Sequence, residues 1–236
     1  MKTVSQVMTA LKKAGTAQTR KTFARHGAPE NFFGVKVGDL KVIAKKIKGD
    51  QELACELYDT GNADAMYLAG IVADGSKMSK KQLDNWAKTA PWHMIAEYSV
   101  PGVAHESPHA HALAMKWIKS KNESIASAGW NTYAGIVTTR PDEELDLKEI
   151  ESLLKLIENK IDKSPERVKY TMNGFVISVG GYVKPLAGKA KATAKTIGKV
   201  EVDMGDTSCK VPLATEYIAK VEKSGRAFKK RKTIKC

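Results

Sequence analysis

Cysteine is scarce in this chain: its 236 residues hold three, Cys55, Cys209 and Cys236, far apart and without a Cys-x-x-Cys pair. That spacing argues against a disulfide framework and a structural zinc site and fits a reducing cytoplasm, where the protein is expected to reside. No stretch approaches the roughly 20 apolar residues of a membrane span, and the first residues lack the apolar run of a signal peptide, so no membrane partner is expected. A glycine-rich phosphate loop and a Gly-x-Ser-x-Gly elbow are both missing. Strand pattern is nearly absent too, Val200-Glu201-Val202 alone reading as extended.

What the chain does have is positive charge. A formal net charge of +13 comes from 39 Lys and Arg against 26 Asp and Glu. Residues 1–48 carry 11 basic and 2 acidic side chains, and residues 223–236 carry 7 basic and none acidic, so the middle of the chain is slightly acidic. Two basic ends suit a polyanion, because clustered Lys and Arg gain from counterion release. A solvated helix face plus a solubility tail is the alternative reading of the same charges. The 42% hydrophobic content and four Trp are ample for a core.

Apolar residues recur at helical spacing almost throughout. Val4, Val7, Met8 and Leu11 form one stripe, Leu40, Ile43, Ala44 and Ile47 another, and Leu153, Leu154, Ile157 and Ile161 a third. Ser107-Pro108 and Ser164-Pro165 look like an N-cap followed by an N1 proline, and Gly15, Gly27, Gly49 and Gly75 sit where helices would end. Placing Glu123 on Glu166 superposes Ile125 on Val168 and Ile136 on Val179, an offset of 43 residues. That falls within the roughly 40–47 residues of helical-pair repeats. Gly70, Gly135 and Gly174 lie inside helical pattern, where each costs about 1 kcal/mol relative to Ala, and close helix-on-helix approach would explain them. The expected fold is therefore all-α, a curved superhelix of helical repeats, with one domain over 1–222 and a basic tail over 223–236.

The segment Pro91-Trp92-His93-Met94-Ile95-Ala96-Glu97-Tyr98-Ser99-Val100 carries the densest chemistry. Trp92, His93 and Tyr98 are candidate pocket residues, and a His93–Glu97 pair one helical turn apart could tune a proton-transfer group. Trp130, Asn131 and Tyr133 open a comparable helix further on, and Asn173 places an amide where a core residue is expected. Aromatics at such helical positions are more often core than ligand platform. His105-Glu106-Ser107-Pro108-His109 matches the HExxH zinc pattern in letters, but that pattern needs one continuous helix, and Pro108 divides this one. No metal and no cofactor are expected. Asp203 and Asp206, in the loop over 202–212, read as helix caps before cation ligands. Cys209 beside Lys210 could be a somewhat activated thiol.

Pro91–Ser99, Glu106–Pro108, Gly129-Trp130, Tyr170–Gly180 and Val202–Pro212 together resemble the DNA alkylation repair family, the AlkD-like proteins built from HEAT-like repeats. The resemblance spans roughly residues 20–215. It implies a solenoid whose basic concave face holds duplex DNA. It also implies, for the alkylpurine glycosylases of the family, an Asp four residues after a Trp, further aromatics and an Arg. Such an anion beside the deoxyribose stabilises the positive charge that develops as the glycosidic bond breaks. Trp92 matches the Trp, but the Asp position falls on Ala96, with Glu97 one residue late. No Arg lies near Asn131–Tyr133 and no Trp near Asn173–Phe175.

The expected DNA contacts are Lys12, Lys13, Arg20, Lys21, Arg25, Lys45 and Lys46, with Lys229, Lys230, Arg231, Lys232 and Lys235 adding a non-specific contribution. Three functions stay open: a monomer binding duplex, distorted or branched DNA without base excision; an alkylpurine glycosylase using Glu97; and a protein-binding scaffold.

Overall fold

Thr3, Thr16, Asp50, Asn62, Ser79, Asn122 and Asp146 each begin a helix with a side chain that accepts a backbone N–H from the first turn. Each supplies one acceptor for the four N–H groups that a helix start leaves without intrahelical partners. At Ser79 the arrangement is reciprocal, with Gln82 returning a bond to the cap. A computed structural model describes residues 1–235. These form thirteen α-helices and several single 3₁₀ turns, and no strand occurs among the described residues. Val200–Val202 lies outside the helices and pairs with no strand among the described residues.

The chain forms two compact units. The first comprises Met1–Leu113, Met204–Ser208 and Lys235, and the second Ala114–Asp203 and Cys209–Ile234. The first unit contains α1 (Val4–Ala14), α2 (Ala17–Arg25), α3 (Val37–Lys46), α4 (Gln51–Asp59), α5 (Ala63–Val72), α6 (Lys80–Thr89) and α7 (Val100–Ala104). Its centre is α5, buried from Ala63 to Gly70 and packed on α3, α4 and α7. Val7 and Leu11 of α1 and Leu40, Ile43 and Ala44 of α3 close the core, so the two N-terminal stripes are core faces.

α8 (Ala110–Ile118) leads into the second unit, which holds α9 (Glu123–Thr139), α10 (Leu147–Lys160), α11 (Glu166–Tyr182), α12 (Ala187–Ile197) and α13 (Ala214–Lys223). α9 packs on α11, α10 on α12, and α13 on α11 and α12. The offset read from the sequence is the repeat itself: α9 and α11 are both 17 residues long and start and stop in the same register. Pro165 takes the cap position of α11, one place earlier than the N1 position expected.

Carboxylates near the start of α5, α9 and α11 tie each helix to another segment. Asp64 accepts the N–H groups of Phe33, Gly34 and Val35 at 2.6, 3.0 and 3.0 Å. Glu123 accepts from Arg167 at 2.8 Å, and Glu166 accepts from Asp203 at 2.8 Å. Close approach accounts for Gly70, where an added Cβ would lie 2.6 Å from Ser99 Cβ, and for Gly129, 2.5 Å from the Ile118 nitrogen. It does not account for Gly174, whose added Cβ would meet only Asn131 Oδ1, at 4.0 Å.

Candidate nucleic-acid interface

Lys12 and Lys13 end α1, Arg25 ends α2, and Lys45 and Lys46 end α3. Cations at these C-terminal turns complement the helix dipoles, which is one reason for their placement. All five are exposed, as are Arg20 and Lys21. Arg25 lies 3.8 Å from Asp206, an exposed pair. Arg20 rests its aliphatic stem on Gly34 and sets its guanidinium 5.3 Å from the Phe32 ring centre. Among the described residues Lys12, Lys13, Lys21, Lys45 and Lys46 have no ion-pair partner. By contrast, lysines of the second unit face carboxylates: Lys189 meets Glu151, Lys191 meets Glu222 at 2.5 Å, and Lys199 meets Glu201 at 2.9 Å.

The C-terminal residues are docked. In the second unit, Phe228 N–H donates to Gly181 O at 2.8 Å and Arg231 N–H to Thr138 O at 3.0 Å, at the ends of α11 and α9. Lys230 Nζ donates to Val137 O at 2.8 Å and lies 2.7 Å from Asp142 Oδ1. In the first unit, Lys235 Nζ donates to Ala73 O at 2.5 Å, at the end of α5, and to Glu106 Oε2 at 2.6 Å. Lys230 and Lys235, expected as DNA contacts, thus place their ammonium groups on helix-end carbonyls and carboxylates. Lys229, Arg231 and Lys232 are exposed.

Within the first unit, Trp92 is 7% exposed and its indole N–H donates to His26 O at 2.7 Å. Phe23 lies 5.4 Å from it and His93 packs edge-on at 5.4 Å, so Trp92 sits in packed surroundings rather than standing open as a platform. After it the helix widens into a π turn, Ile95–Ser99, continuous with α7. Pro101 supplies the reason: it has no N–H to give the Glu97 carbonyl, so the four-residue register breaks. The 3.6-residue spacing behind the expected His93–Glu97 face does not hold through this turn. Glu97 is 2% exposed, Ala96 is fully buried, and Tyr98 is 39% exposed. His105 ends α7 and His109 precedes α8, so the letters of the zinc pattern straddle a helix break. His105 Nδ1 lies 3.1 Å from Pro101 O.

Within the second unit, Trp130, Tyr133 and Phe175 form one buried cluster. Phe175 takes both rings edge-on, at 5.4 and 5.6 Å. The Tyr133 hydroxyl donates to Glu149, and burial followed by that carboxylate pushes its pKa well above the usual tyrosine range. Trp130 and Tyr133, expected to line a pocket, are therefore packing residues. Asn131, one residue away on α9, is half-exposed beside Gly174. Asn173 is buried and donates from Nδ2 to Pro212 O at 2.8 Å, anchoring the loop before α13. Sequence reading missed Arg167 and Tyr170, whose guanidinium and ring lie 4.5 Å apart at half-exposed positions of α11. Their i, i+3 spacing was the available signal.

The family described as DNA alkylation repair enzyme matches residues 7–190. A solved structure from a family described as related to the HEAT-like repeat DNA glycosylases, with affinity for branched DNA structures, superposes with a TM-score of 0.90. It is 40% identical and covers 99% of this chain and 100% of its own. An uncharacterized protein of Listeria innocua is 34% identical over 93% of this chain and 97% of its own length. One of Listeria monocytogenes is 33% identical over the same shares. The fold is thus the HEAT-like helical repeat, and by the match over most of its length the chain belongs to the DNA alkylation repair enzyme family.

Proposed function

We propose that this protein binds duplex DNA, with preference for branched or distorted forms, and excises no base. The observation that carries this is the set of exposed, unpaired lysines on α1–α3, Lys12, Lys13, Lys21, Lys45 and Lys46. Such cations release counterions on meeting a phosphate backbone, and among the described residues none has a protein carboxylate to give up first. The affinity for branched DNA described for the 40%-identical neighbour supports the structural preference.

Two features support binding without excision. Ala96 stands where the glycosylases of the family are expected to place a carboxylate, and a methyl group cannot stabilise a developing positive charge. The acid next to it in sequence, Glu97, is 2% exposed and screened from a nucleotide approaching through solvent. The test is incubation with DNA carrying N7-methylguanine and N3-methyladenine, alongside gel-shift competition between four-way junction and linear duplex. Junction preference without free base is expected. Base release abolished by Glu97→Gln would establish the glycosylase instead.

A further inference from the structure

We infer that the groove between α1 and α3, within the first unit, is a docking site for an acidic amphipathic helix of a partner protein. The groove has a volume of about 400 Å³, within the roughly 300–1,000 Å³ of ligand sites. Ala10 and Ala14 of α1 and Val42 and Ile43 of α3 give it apolar walls. Each set follows helical i, i+3, i+4 spacing and so shares one face of its helix. Two alanines one turn apart supply only a methyl group each, so α1 leaves the space unfilled. Val42 is 54% exposed, more than Tyr98 at 39% or Tyr217 at 45%. Valine is a poorer helix former than Leu, Lys or Glu, so local helix preference does not explain it at an exposed position. Contact with another apolar surface does.

The charges state the occupant's sign. Lys13 and Lys46 line the groove, are exposed, and among the described residues have no ion-pair partner. Lys12 and Lys45 stand beside them in the last turns of the same helices. Asp39 also lines the groove, in the first turn of α3. It lies seven residues before Lys46, about 10 Å along the helix axis. An amphipathic helix meets this pattern: its apolar side chains fill the recess, and its Asp and Glu reach the lysines at the Lys46 end. A phosphate backbone meets only half of it, pairing with the lysines but bringing no apolar group to Val42 and the alanines. Lys13 and Lys46 also belong to the set proposed to hold DNA, so the helix and DNA compete. That competition, unlike the docking itself, rests on the DNA-binding reading.

The experiment uses the full chain and two fluorescein-labelled peptides of about 16 residues, long enough for an isolated helix. One carries Leu at i, i+3, i+4 and i+7 among Glu and Ala; the other has the same composition scrambled, so that no apolar face forms. Fluorescence polarisation is read for wild type, Val42→Gln and the Lys13→Gln, Lys46→Gln double variant, with thermal unfolding showing that each folds. The amphipathic peptide is expected to bind roughly tenfold more tightly than the scrambled one. Val42→Gln is expected to lose roughly tenfold for that peptide and less than about twofold for linear duplex DNA, whereas the double variant weakens both. Equal binding of the two peptides, binding of neither, or binding undiminished by Val42→Gln overturns the docking site. Equal losses on peptide and duplex from Val42→Gln assign the groove to DNA, and wild-type self-association abolished by Val42→Gln assigns it to a second copy; either overturns the proposal. Binding of the amphipathic peptide without binding of duplex supports the docking site and overturns the DNA-binding reading.

Discussion

Lys235 and Glu106 are 129 positions apart in sequence, yet Lys235 Nζ lies 2.6 Å from Glu106 Oε2 while also donating to the Ala73 carbonyl at the end of α5. Both side chains are mostly covered, at 15% and 28% exposure. Glu106 Oε2 also accepts the Gly75 N–H, at 3.3 Å. Removing the cation leaves a half-covered carboxylate and a helix-end carbonyl without it. Lys235→Ala is expected to cost roughly 1–3 kcal/mol in chemical denaturation. An unchanged denaturation midpoint would mean that the contact adds nothing.

His105 sits next to that ion pair. Burial holds its imidazole below its usual pKa; Glu106 pulls the other way and Lys235 pushes with burial. The unfolded chain therefore takes up a proton near pH 6.5 that the folded chain resists, so this residue's contribution is present above about pH 6.5 and is lost as pH falls below it. Melting temperature should decline between about pH 7.5 and 5, and His105→Gln should flatten that decline. Parallel profiles for the two proteins would dismiss His105 as the source.

Asp64 is buried and satisfies three consecutive backbone donors, Phe33, Gly34 and Val35. Asp64→Ala strands all three and should cost about 3 kcal/mol or more, since each buried unsatisfied donor costs about 1–3 kcal/mol. Urea denaturation measures this. A loss below about 1 kcal/mol would mean that the segment finds other acceptors.

Alanine substitutions at three helical glycines should split by sign. Gly70→Ala and Gly129→Ala force a Cβ to within 2.6 and 2.5 Å of their neighbours and should destabilise, by about 1–3 kcal/mol each. Gly174→Ala has room and should stabilise by up to about 1 kcal/mol through helix propensity alone. If Gly174→Ala destabilises like the others, the position is packed after all.

Much of the fold was legible because it is local. Val7, Leu11, Leu40 and Ile43 reveal their core faces by helical spacing, and Glu123 and Glu166 mark a repeat whose helices keep the same register. The site was less legible because its determinants are long-range. Spacing alone does not distinguish Trp92 or Trp130 as a ligand platform from the same residue in core, and here the bond to His26 and the contact with Phe175 show both in core. The basic tail reads as solvated until Lys230 and Lys235 are seen on Asp142 and Glu106. The π turn was legible in principle, since Pro101 denies Glu97 its helical partner, but the assumption of regular 3.6-residue spacing concealed it.

We propose that the α1–α3 lysines carry DNA binding. It is tested most directly by the salt dependence of affinity for a four-way junction, measured for wild-type protein and for the Lys12→Ala, Lys13→Ala, Lys45→Ala, Lys46→Ala quadruple variant. Each phosphate contact contributes about −0.9 to the slope of log K against log salt, so the variant's slope should be shallower by roughly 3 to 4. A parallel substitution of Lys230 and Lys235, already held by Asp142 and Glu106, should leave the slope unchanged. An unaltered slope in the quadruple variant, or wild-type binding that does not respond to salt, would contradict the claim.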